Sequence, residues 1–173
     1  ARTITSNTST VTFGGTLNGA TDLTVTAAGN TVFNGTVGNS TALNSLTVTG
    51  KTIMNTGTVR TTGSQLYGGS FGLGTNTVLT SLAGGNIQFN SNVDGARTLT
   101  TSTTGAGSSI FNGQVGGLGP LAALTVNGAA QLNGVVFRTS GAQTYNGATT
   151  LGNTTNIQTP GGAVTFNGTV DGA

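Results

Sequence analysis

The chain contains no cysteine, histidine, tryptophan or glutamate in its 173 residues. Without cysteine there is no disulfide framework and no thiolate metal site. Without histidine or cysteine, a serine or threonine nucleophile lacks its usual base, so the residues point away from an enzyme. Charge is nearly as scarce. Asp22, Asp94 and Asp171 are the only acids, and Arg2, Lys51, Arg60, Arg97 and Arg138 the only bases. Together they make up 5% of the chain, against roughly 25% in an ordinary globular domain. The net charge of +2 is spread along the sequence, whereas nucleic-acid binding needs a basic cluster. No apolar run reaches the roughly 18 residues of a membrane-spanning helix. The opening "ARTITSNTST" is polar and shows no signal peptide. Solubility therefore rests on hydroxyls and amides.

What the chain does have is repetition. Its closing phrase "VTFNGTVDGA" is echoed by "IQFNSNVDGA" at Ile87–Ala96, by "VFNGTVGN" at Val32 and by "IFNGQVGG" at Ile110. Aligning on the large apolar residue of each phrase gives nine anchors: Phe13, Phe33, Met54, Tyr67, Phe89, Phe111, Leu132, Tyr145 and Phe166. Their spacings run 20, 21, 13 and 22, then 22, 21, 13 and 21. The series repeats, short step included, so about 77 residues form a superrepeat. A shift of 78 lays "FNGTVGNSTALNSLTVTG" on "FNGQVGGLGPLAALTVNG" and "VRTTGSQLYGG" on "FRTSGAQTYNG". The reading is one repetitive segment over residues 1–173, with a partial unit at 1–19 and superrepeats at approximately 20–95 and 96–172.

Within each repeat the period is two. "LTVT" at Leu23 and Leu46 and "LTVN" at Leu124 place aliphatics on one side and Thr or Asn on the other. Such short β-branched runs, separated by Gly and Asn-Gly, read as strands. The fixed period near 20 selects a β-solenoid of roughly nine coils over a sandwich or barrel. The nine anchors are its expected core ladder, each copy packing on the next. Asn34-Gly35, Asn112-Gly113 and Asn167-Gly168 are its expected turns, passing through positive φ. The 13-residue steps are short for a coil and are expected to share a turn with a neighbour. The start "ARTIT" and finish "VDGA" match the internal junction "VDGARTLT", so a unit able to follow itself head to tail is expected.

The phrases "FNGTVGN", "LNSLTVTG" and "TTGSQLYGG" resemble the repeats of large bacterial filamentous-haemagglutinin-like and autotransporter-type surface adhesins. The resemblance covers essentially the whole chain. It implies a right-handed parallel β-helix, export to the cell surface and service as an extended shaft. It carries no catalytic residues across.

Other features have plain structural readings. Asp94 and Asp171 share a repeat phase, with Asp22 close to it one unit earlier. They lie too far apart for a carboxylate pair and suit turns. Three separated Asp cannot supply the roughly six to eight oxygens that calcium takes. Thr24-Val25-Thr26, Thr47-Val48-Thr49 and Thr98-Leu99-Thr100 could form a flat hydroxyl array such as ice-binding solenoids present. The pattern breaks at "LTVN" and at "VLTS" (Val78), so ordinary outward Thr is the reading preferred. Arg60 and Arg138, in "RT-T/S-G", and Arg2 and Arg97, in "ART", read as corner residues whose stems cover apolar surface. The sequons at Asn7, Asn34, Asn39, Asn153 and Asn167 arise readily by chance in so Asn- and Thr-rich a chain. Phe71 and Pro120 are the main departures from the repeat. The expectation is thus an extracellular or cell-surface bacterial rod with no cofactor, stacking on itself. The alternative is a lateral face binding a glycan, a host surface or ice.

Overall fold

The computed structural model describes residues 1–152 and 154–172. It is an all-β solenoid of about eight turns, every strand pair parallel. The first two coils hold β1 (Arg2–Ser6), β2 (Val11–Phe13), β3 (Asp22–Ala27) and β4 (Asn30–Phe33). The third holds β5 (Ser45–Val48), β6 (Lys51–Met54) and β7 (Thr58–Thr61). The fourth holds β8 (Gln65–Tyr67), β9 (Phe71–Leu73) and β10 (Thr77–Ser81). The fifth holds β11 (Ile87–Phe89), β12 (Val93–Asp94) and β13 (Thr98–Thr103), and the sixth β14 (Ser108–Phe111) and β15 (Ala123–Asn127). The seventh holds β16 (Ala129–Leu132), β17 (Val136–Arg138) and β18 (Gln143–Tyr145). The eighth holds β19 (Thr149–Leu151), β20 (Asn156–Gln158) and β21 (Val164–Phe166), and β22 (Val170–Gly172) opens the ninth.

These strands form three faces. The first is the nine-stranded sheet β1-β3-β5-β8-β11-β14-β16-β19-β22. The second runs β2-β4-β6-β9-β12 and continues through bridges from Val93 to Val115 and Phe137 into β17-β20. The third is β7-β10-β13-β15-β18-β21, joined at β7 by bridges from Leu17 and Val37. Alternation does the folding work. In β5 Leu46 and Val48 are buried while Ser45 and Thr47 are half-exposed, so alternate residues point into the core, most of them apolar but with threonines such as Thr31, Thr52 and Thr101 among them.

The anchors do not form one ladder. Phe13, Phe33 and Met54 stack on the second face, Tyr67, Phe89, Phe111 and Leu132 on the first, and Tyr145 and Phe166 on the third. Ring centroids lie 5.0 Å apart for Phe13–Phe33, 5.3 Å for Tyr67–Phe89, 5.1 Å for Phe89–Phe111 and 4.9 Å for Tyr145–Phe166. All but Phe13 and Phe166, which are partly covered, are fully buried. The 13-residue steps are where the ladder changes face, from β6 to β8 and from β16 to β18. They are two faces long, and no turn is shared. The coils around them keep ordinary lengths, since Leu46 pairs with Gln65 and Ala130 with Thr149.

The superrepeat therefore turns about the axis. Leu46 lies on the first face and its counterpart Leu124 on the third. Met54 lies on the second and Leu132 on the first. Val59 lies on the third and Phe137 on the second. One superrepeat spans three coils and two further faces, eleven faces in all.

The turns also differ from expectation. Gly35, Gly113 and Gly168 do not have positive φ. A Cβ there would fall closer than 3.0 Å to the backbone of Gly15, Ser91 or Gly147 in the preceding coil. Glycine stands after Asn because backbones stack there, not because the chain reverses hand. Positive φ occurs elsewhere, as at Gly38 and its counterpart Gly116, both +70°.

Candidate functional site

Asn34, Asn112 and Asn167 do more than turn the chain. Each belongs to a ladder of amides along a corner. The Asn55 Nδ2 donates to Asn34 Oδ1 at 2.9 Å. Asn112 donates to Asn90 at 3.1 Å and Asn133 to Asn112 at 2.8 Å. Asn146 donates to Asn127 at 2.7 Å and Asn167 to Asn146 at 2.6 Å. Every amide donates toward the preceding coil, so the ladders are polar along the axis. In the sequence, the signal for this stacking of Asn on Asn is the recurrence of Asn directly after seven of the nine anchors.

Four of the eight charged side chains, Asp22, Asp94, Arg60 and Arg97, bond to the scaffold. Asp94 Oδ1 accepts the Leu118 N–H at 2.9 Å and the Gly119 N–H at 3.2 Å, fixing the loop that follows Gly116. Asn18 Oδ1 does the same for Ser40 and Thr41, at 3.0 and 3.4 Å. Asn18, and not Asp22, is thus the counterpart of Asp94. Asp22 accepts the Ser45 hydroxyl at 2.8 Å instead. Asp94 stands on the second face and Asp171 on the first, so the acids are not brought together. Among the described residues no three metal-ligating side chains cluster. Arg60 Nη1 donates to the Asn39 carbonyl at 3.2 Å and Arg97 Nε to the Gly74 carbonyl at 3.1 Å, each stapling one coil to another. Arg2 and Arg138 are exposed.

Two phenols sit deep in the core. Burial pushes the phenols of Tyr67 and Tyr145 well above their ordinary range. Each hydroxyl donates to a buried glutamine two residues before it, Gln65 at 2.9 Å and Gln143 at 2.8 Å. Phe71 is core, edge-on to Tyr67 and Phe89 with centroids at 4.6 and 5.1 Å.

Outward threonines do align in part. On the first face Thr3, Thr24 and Thr47 are in register before Leu66 ends the row. On the third, Thr100, Thr125, Thr144 and Thr165 run through four consecutive coils, with Val78 before them. Of the sequons, Asn34 and Asn167 are held in amide ladders, Asn7 and Asn39 are exposed, and Asn153 lies outside the described residues. Pro120 sits in the loop after Gly116, partly covered.

The second face carries a depression of about 200 Å³ lined by Lys51, Ile53, Phe71, Gly72, Asp94 and Leu118, with Ser70 beside them. It draws on residues from four coils, and Leu118 on its rim is 88% exposed. No helix is long and apolar enough to cross a membrane among the described residues. No protein-family model, curated protein or solved structure matches the chain.

Proposed function

We propose that the chain is a structural rod: a shaft segment of an extracellular or cell-surface bacterial fibre or adhesin, built coil on coil and without catalytic activity. The observation that carries this reading is the turning of the superrepeat. Eleven faces are not a multiple of three, so each duplicated copy of a surface lands on a different side of the rod. Interior ladders survive this rotation, because any face can follow any other if the inward volumes match. A lateral binding face does not survive it, because its copies scatter around the axis. Duplication in this geometry propagates length and stiffness rather than a recognition surface.

Two further observations support the rod. The amide ladders all point one way, so growth along the axis has one polarity, and coils add head to tail. Four of the eight charges staple loops and corners, and the eight are spread along the chain. The competing reading, a lateral face for glycan, host surface or ice, has the threonine row of the third face in its favour. That row is confined to four coils and gives way to Val78.

Fibre diffraction from aligned native material tests the rod. A meridional reflection near 4.8 Å from coil stacking is expected, with a second near roughly 18 Å from the superrepeat of three and two-thirds coils. Discrete globular particles with neither spacing would overturn the reading.

A further inference from the structure

We propose that the depression on the second face is a lateral contact site for a second copy of this chain, pairing two rods side by side and antiparallel. Its first mark is Gly72. The outward row there reads Thr12, Val32, Ile53, Gly72, Asp94, and glycine interrupts it in mid-strand. No backbone demand explains that glycine. Its φ lies outside the left-handed region, and a Cβ would meet nothing nearer than Ile53 Cδ1 at 3.4 Å, an ordinary contact. The superrepeat counterpart is Thr150 in β19, at the equivalent place on another face. An unforced glycine within a strand often marks a place where another molecule comes close.

The second mark is the rim. Leu118 stands exposed beside the dent, where its counterpart is Ser40. Lys51 and Ile53 stand where the other copy has Ala129 and Gln131. Under a two-fold axis along the strands through Gly72, the coil carrying Leu118 of each copy, two coils after Gly72, faces the coil carrying half-exposed Val32 of the other, an apolar contact made twice. The charges obey the same symmetry. Lys51 lies on β6, one coil before Gly72, and Asp94 on β12, one coil after it. A two-fold axis along the strands through Gly72 sets the coil carrying Lys51 of each copy opposite the coil carrying Asp94 of the other. Charge complementarity thus favours a second antiparallel copy over an unrelated partner. The contact is small and belongs to the weak, reversible class of interfaces. It goes beyond the rod reading and does not depend on axial stacking.

Sedimentation equilibrium of the chain, up to its solubility limit, tests the proposal. Expected is a reversible monomer–dimer equilibrium that stops at two. Leu118→Ser and Gly72→Thr, which install the counterpart residues, each weaken it at least about tenfold without changing the circular dichroism. Lys51→Gln and Asp94→Asn each weaken it less, and the double variant is no weaker than the worse single. Asn at 94 keeps the loop bonded, as Asn18 does at its own loop. A chain monomeric at every concentration overturns the proposal. So do open-ended oligomers unaffected by these four substitutions, which would place association at strand edges and leave the rod reading standing.

Discussion

Residues 43–74 and their counterparts 121–152 are two copies of one stretch, laid on different faces of the same rod. Inside, Leu46, Val48, Thr61, Gln65 and Tyr67 recur as Leu124, Val126, Thr139, Gln143 and Tyr145, while Val59 and Phe71 give way to Phe137 and Thr149. Tyr67 donates to Gln65 at 2.9 Å and Tyr145 to Gln143 at 2.8 Å. Gln65 Nε2 reaches the Thr80 carbonyl at 3.0 Å and Gln143 Nε2 the Gln158 carbonyl at 2.9 Å. Outside, Lys51, Ile53 and Gly72 correspond to Ala129, Gln131 and Thr150. The difference teaches what a stacked coil must keep. Each inward side chain is the floor for the coil above and the ceiling for the coil below, so a change there is felt twice. An outward side chain in mid-strand has water on one side and is not such a floor or ceiling.

The sharpest way to break that contrast is to remove a member of the stack. Phe89 packs face-on between Tyr67 and Phe111 and edge-on to Phe71. Phe89→Ala is expected to cost about 3–5 kcal/mol, read as a fall in the denaturant midpoint at unchanged slope. Thr100→Ala, on the outer third face, should stay within about 0.5 kcal/mol. Equal losses at the two positions would mean that stacking is not what distinguishes inside from outside.

A pair of glycines tests the backbone version of the same contrast. A Cβ at Gly113 runs into the Ser91 backbone, while one at Gly72 has room. Gly113→Ala should destabilise by about 1–3 kcal/mol or more, as overpacking against an unyielding backbone does. Gly72→Ala should be neutral or slightly stabilising, because alanine is more restricted than glycine in the unfolded chain. Thermal melts of the two variants side by side decide it.

Much of this was legible in the sequence and some was not, for physical reasons. The period, the strands and the anchors follow from side-chain alternation, which the order of residues records directly. The change of face at Met54–Tyr67 was hidden, because a step of 13 resembles a deletion unless an anchor is allowed to move to another side. The glycines after Asn34, Asn112 and Asn167 were placed correctly for the wrong reason. Dihedral preference is a local property, whereas the demand on them comes from a coil about 20 residues away. Asn18 was missed as the counterpart of Asp94 because the shared feature is a carbonyl-type oxygen accepting two amide N–H groups, which residue type obscures. The depression on the second face was invisible for a similar reason, being assembled from four coils.

The buried phenols sharpen the comparison through pH. With no histidine and three acids, stability should be nearly flat between mild acid and about pH 9. Tyr67 and Tyr145 have folded pKa values above the ordinary 10.0, so folding favours the protonated form. Their contribution is fully present below about pH 10, where the unfolded phenols stay protonated. It is lost as pH rises further, at roughly 1.4 kcal/mol per pH unit for each phenol. Urea melts at pH 8 and 11 should show the loss, and the Tyr67→Phe/Tyr145→Phe double variant should abolish its pH dependence. A wild-type chain equally stable at both values would mean that the phenols reach water.

A pair of buried hydroxyls reverses the usual sign. Thr31 and Thr52 point inward on adjacent coils of the second face, fully buried. Their hydroxyls are the buried side-chain groups left without a hydrogen-bond partner among the described residues. The counterpart of Thr52 is Ala130, so the fold does not need an oxygen at this position. A buried hydroxyl without a partner has lost its water and gained nothing in return, while valine has nearly the same shape without the polar atom. Thr52→Val should therefore raise stability by about 1 kcal/mol, seen as a higher denaturant midpoint. Thr101→Val, which removes a hydroxyl accepting from Ser109 at 2.8 Å, should lower it. If both substitutions destabilise alike, the Thr52 hydroxyl has a partner in solution, and the inner wall of the second face is wetter than its apolar ladder implies.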